Sequence, residues 1–167
     1  MRPTRALIPA ALSLLLPVLA QAHCQVPCGI YDDAARVQAM YEDAATIEKA
    51  MTQIRSNSGK GDPQSTNQVA RWVHAKEDHA SHVITTVAEY FLTQRVKPLA
   101  PGANRRLKNE HAAQLSELHA VMVAAMKCKQ SVDLTNVRRL REALEPLASR
   151  YGGPKPASAQ SKPARRR

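Results

Sequence analysis

Between Val37 and Ile54 apolar side chains recur at intervals of three, four, three, four and three residues: Val37, Met40, Ala44, Ile47, Met51 and Ile54. This spacing lines all six along one stripe of an α-helix. It does not suit a strand, whose faces alternate every second residue. A helix carrying such a stripe is stable only when the stripe is buried against other elements. Three more segments supply them. Residues 65–94 carry Val69, Trp72, Val73, Ala80, Val83, Val87, Tyr90 and Phe91 on one face. Residues 104–127 carry Leu107, His111, Leu115, Leu118, Met122 and Ala125, and residues 133–151 carry Val137, Leu140, Leu144 and Leu147. With residues 33–56, capped by Asp32 or Asp33, these make four helices. Pro63, Pro98 and Pro101 fall between them, where breakers belong, and Pro146 falls inside the last, where a kink or loosened turn is expected. Short connections and an absence of strand-like alternation predict an all-α fold, an antiparallel up-and-down four-helix bundle over residues 32–151.

The formal net charge of +10 would fit a nucleic-acid binder, but its distribution argues otherwise. Arg2, Arg5, Lys155, Lys162, Arg165, Arg166 and Arg167 lie at the two ends. Residues 23–152 hold the other 17 basic residues against all 14 acidic ones, a net charge of only +3. Aromatics make up 4% of the chain, too few for base-stacking surfaces. Residues 152–167 lack periodicity and read as a disordered basic tail.

Residues 1–22 have the parts of an export signal. Arg2 and Arg5 precede an apolar run from Ala6 to Leu19, and Ala20-Gln21-Ala22 is a small-x-small cleavage site for signal peptidase. The run is too short to span a bilayer and is interrupted by Pro9 and Pro17, so no stable membrane anchor is expected. The mature chain is expected to be exported, periplasmic or secreted, and to begin at His23.

Bundles often carry metal chemistry in their cores. Di-iron centres use Glu-x-x-His pairs, and none of the eight Glu residues has His three positions on. There is no Cys-x-x-Cys-His, His-Glu-x-x-His or Gly-rich phosphate loop. His79 and His82 lie near one helix face, with His74, His111 and His119 scattered elsewhere. With no carboxylate at matching spacing, these read as core-edge or surface histidines rather than metal ligands. Cys128 stands alone and reads as a small buried apolar residue.

The new amino end is different. It would begin His23-Cys24-Gln25-Val26-Pro27-Cys28-Gly29-Ile30-Tyr31. Cleavage frees an α-amine beside the His23 imidazole. Cys24 adds a backbone nitrogen and a thiolate, and Cys28 a second thiolate. Amine, amide nitrogen and two thiolates form a planar N2S2 set, which suits Ni(II) or Cu(II) better than tetrahedral Zn(II). Thiolates reduce Cu(II), leaving nickel as the better match. Two other readings stay open: a structural bundle with a Cys24–Cys28 disulfide, which an exported protein can keep, and an unstructured amino end.

His23-Cys24-x-x-Pro27-Cys28-Gly29-x-Tyr31-Asp32 resembles the nickel hook of the nickel superoxide dismutases, and the helical body resembles that family's bundle. The resemblance implies an oxidoreductase that disproportionates superoxide at one nickel per mature chain, cycling between Ni(II) and Ni(III). It implies metal ligation by His23, Cys24 and Cys28 in a hook of residues 23–31, with a cis bond before Pro27. Tyr31 would stand over the open face, limiting access and ordering water, and six chains would form a homohexamer. Gln25 replaces a frequent Asp of the hook. Gln38 stands near a family Glu position and His79 near an Arg position, where they would hold the axial imidazole through a neutral or pH-sensitive network. An exported nickel or copper carrier without turnover would use the same hook, although a carrier has no need of a gating Tyr31.

Overall fold

The computed structural model describes residues 29–154. Those residues are helical with no strand among them. Tyr31 onward forms the helical unit; Gly29 and Ile30 belong to a separate amino-terminal unit. The expected export signal, the expected hook ligands and most of the expected basic tail lie outside the described residues.

Helix α1 spans Asp33–Asn57, α2 Pro63–Thr85, α3 Arg105–Gln130 and α4 Leu134–Tyr151. Each begins at a side-chain cap: Asp32, Asp62, Asn104 and Asp133 accept from Ala35 N, Ser65 N, Leu107 N and Thr135 N at 2.9–3.0 Å. Such caps satisfy amide groups that the first helical turn leaves free. Pro63 at the start of α2 has no amide hydrogen to lose there.

Helix α1 packs on α2 and α4, and α3 packs on the same two. All six stripe residues of α1 are buried, as are Val137, Leu140, Leu144 and Leu147 of α4. Phe91 and Tyr151 close one end of the core, their ring centroids 4.7 Å apart. Two expected faces are buried only in part. Val69 and Trp72 are half-buried and Val73 is exposed. Leu107 and Leu115 of α3 are also exposed. At 1.5 Å per residue α3 is roughly 39 Å long against roughly 27 Å for α4. Gln114 already meets Tyr151, the last residue of α4, so the first turns of α3 overhang their neighbour.

The second expected helix is not one regular helix. After Thr85 the chain continues as a π-helix, Thr86–Arg95, with Val96 N bonded to Phe91 O at 2.8 Å. Thr93 Oγ1 and Gln94 Nε2 likewise reach back five residues, to Ala88 O and Glu89 O. Pro146 does not end α4, which runs on to Tyr151. Its ring is on the solvent side, where water can satisfy the carbonyl that it leaves unbonded.

Candidate metal centre

Of the residues expected to build the centre, His23, Cys24 and Cys28 lie outside the described residues, and Tyr31 lies within them. Tyr31 precedes α1 and is 37% exposed. Its ring meets the edge of Tyr90, with centroids 5.8 Å apart and planes at 82°. On it lies the Arg95 guanidinium, 4.5 Å from the ring centroid. Both neighbours are tied to Asp33, the first residue of α1. Tyr90 donates from its hydroxyl to Asp33 Oδ1 at 2.7 Å, and Arg95 donates from Nε and Nη2 to Asp33 Oδ2 at 3.1 and 2.7 Å. Burial, and then the bond to Asp33, push the Tyr90 phenol up to about 12. The same carboxylate raises the Arg95 guanidinium further. Arg36 lies over the Tyr90 ring at 5.4 Å. Tyr31 is thus set on a polar and aromatic cluster made by the start of α1 and the end of the π-helix. The sequence offers no local signal for Asp33 and Arg95, because the pair spans 62 positions.

The histidines also have a partner that local spacing did not reveal. Asp43 is 5% exposed, and its Oδ1 and Oδ2 lie 2.7 Å from Nδ1 of His79 and of His82. A carboxylate oxygen accepts, so the imidazoles donate from Nδ1. No carboxylate stands at matching spacing on the histidines' own helix; their partner comes from α1. His79 and His82 are otherwise partly exposed side chains at the bundle edge, as expected. His74 is exposed and pairs with Asp78 on its own helix, and His119 is exposed on α3. Gln38 bonds Glu42 on its own helix at 2.9 Å, and His79 bonds Asp43; the His23 imidazole they were expected to hold lies outside the described residues. Among the described residues no group of three or more His, Cys, Asp or Glu side chains is arranged to hold a metal. Cys128 is fully buried, and burial raises its thiol to about 11, as befits an inert core residue.

A groove of about 440 Å³ lies between α3 and α4, lined by residues that include His119, Val123, Ala124, Lys127 and Arg139. It contains neither Tyr31 nor any partner of Tyr31, and it places no acid opposite a base.

The chemistry of the donors expected in the hook fits nickel. Two thiolates and an amide nitrogen are anionic donors that stabilise a higher oxidation state, and a planar set suits Ni(II). The bundle supplies a fixed mount for Tyr31, the last residue of that segment.

No curated protein and no solved structure matches the chain. A family model does, that of the nickel-containing superoxide dismutases, over residues 18–155. That stretch takes in the hook, Tyr31 and all four helices, and on this match the chain belongs to the nickel-containing superoxide dismutase family.

Proposed function

We propose that the mature chain begins at His23 and holds one nickel through His23, Cys24 and Cys28, working as an exported superoxide dismutase. The observation that carries this reading is the family match across hook and bundle together. Bound nickel supplies a Ni(II)/Ni(III) couple through which two superoxide ions and two protons become dioxygen and hydrogen peroxide. His23 would contribute its α-amine and imidazole, Cys24 its amide nitrogen and sulfur, and Cys28 its sulfur. While residues 1–22 remain attached, that amine is an amide and cannot ligate, so export processing would switch on metal binding. Tyr31 would cover the open face and limit access to small species. A body of net charge +3 over residues 23–152 favours the approach of a small anion.

The finer architecture belongs to the same reading. Asp33 meets Arg95, Asp43 meets His79, and Lys49 lies over Trp72, so contacts descend the π-helix and then α2 as they climb α1. Gln114 with Tyr151 and Lys127 with Asn136 repeat this order between α3 and α4. Both support an antiparallel bundle. The exposed Val73, Leu99, Leu107 and Leu115 supply apolar surface for a homohexamer. No described helix is long and apolar enough to cross a membrane.

Native mass spectrometry of protein from nickel-supplied cells tests the whole reading. The expected species is a hexamer of chains starting at His23, one nickel each. A metal-free monomer with a Cys24–Cys28 disulfide, two hydrogens lighter, would overturn it. Superoxide turnover by the same material separates an enzyme from a carrier. One extra residue before His23 is expected to abolish turnover, and full activity in that variant refutes the amine ligand.

A further inference from the structure

We propose that Arg95 is a positioning residue for Tyr31, holding its ring in place through a clamp that ends on Asp33. This inference rests on the reading of Tyr31 as the residue that covers the metal's open face. Tyr31 precedes α1, so no helical hydrogen bond orders it, and a 37% exposed ring is free to swing unless its neighbours hold it. Two contacts do so: the edge of Tyr90 at 5.8 Å and the guanidinium of Arg95 at 4.5 Å. Tyr90 is buried in the core and is fixed by packing. Arg95 is 31% exposed at the last position of the π-helix, and its fixity comes from its two bonds to Asp33.

Two features decide between positioning and attraction of the anion. The Asp33 carboxylate neutralises Arg95 at 2.7 Å, so the guanidinium offers little net field to superoxide. The planar guanidinium presents its edge to a carboxylate and its face to a ring at once, which an ammonium cannot do. The π-helix gives the residue its place. Its bonds reach back five residues, which shifts every later side chain out of α-helical register and brings Arg95 to the start of α1.

The test compares R95M, R95K, Y31A and the double variant Y31A/R95M as nickel-loaded protein, with nickel per chain measured for each. R95M is expected to lower kcat/KM by up to about tenfold, the worth of a partly desolvated cation–ring contact. R95K is expected to fall nearly as far, because its charge is kept and its fork is lost. The double variant is expected to match Y31A alone, since Arg95 acts through that ring. A second readout needs no metal: in metal-free protein, nitration of Tyr31 by tetranitromethane, mapped by mass spectrometry, is expected to rise in R95M and R95K. Wild-type turnover in R95K would make the charge, not the clamp, the active feature and would overturn the proposal. So would additive losses in the double variant, or Tyr31 nitration unchanged in R95M. If Y31A itself keeps full turnover, the reading of Tyr31 falls and this inference falls with it. If Y31A is impaired while R95M is silent, only the role of Arg95 is lost.

Discussion

Lys76 is 3% exposed, and its ammonium donates to the carbonyls of Cys128, at 3.0 Å, and Lys129. These belong to the last turn of α3, whose carbonyls have no helical partner and carry the negative end of the helix dipole. Glu77 Oε1 takes a third bond at 2.7 Å. Lys76→Met keeps most of the stem's volume and removes all three bonds. Each bond from a charged donor contributes about 1.5–3 kcal/mol. Against this, burying an ammonium costs several kcal/mol, which methionine avoids. Glu77 keeps Lys129 as a neighbour at 3.7 Å, so the loss falls on the carbonyls. The balance is a destabilisation of about 2–3 kcal/mol, or a melting point lower by about 10 °C for a domain of this size. Urea unfolding at fixed protein and nickel concentration measures it, since assembly and metal both shift apparent stability. Lys129→Met is the control, its half-exposed pair being worth at most about 1 kcal/mol. A Lys76→Met loss below about 0.5 kcal/mol would mean that the desolvation cost cancels the bonds, and would refute the reasoning.

Tyr90 is held protonated up to about 12 by burial and by Asp33, while an unfolded tyrosine loses its proton near 10. Its contribution is therefore complete below the unfolded value and is lost as pH rises toward 12; Tyr90→Phe should flatten that decline in unfolding curves, and an unchanged slope would count against the Asp33 bond. The Tyr41 hydroxyl is buried with no hydrogen-bond partner among the described residues, so Tyr41→Phe should raise stability by up to about 1 kcal/mol, where a loss would point to a bonded water. A Cβ at Gly153 would lie 2.8 Å from Cγ1 of the fully buried Val37, so Gly153→Ala should destabilise by about 1–3 kcal/mol, and a neutral result in thermal melts would mean that the end of α4 gives way.

The helices were legible because their information is local. The stripe from Val37 to Ile54 needs only its own spacing, and Asp32, Asn104 and Asp133 act within three residues of themselves. The candidate donors of the hook are local in the same sense, six residues from His23 to Cys28 whose side chains suggest their own chemistry. Leu107 and Leu115 misled because periodicity predicts which side of a helix is apolar, not whether a neighbour is long enough to cover it.

What the sequence determined by itself was therefore the helical segments and their apolar faces, and it named the candidate donors of the amino end. Only the tertiary structure decided the π register after Thr85, the joining of Asp33 to Tyr90 and Arg95, and the pairing of Asp43 with His79 and His82. Those contacts join residues 36 to 62 positions apart. No spacing rule reaches so far. Which polar groups meet is settled when the helices bury their apolar stripes, and that packing gives Tyr31 the ring and the guanidinium it rests on.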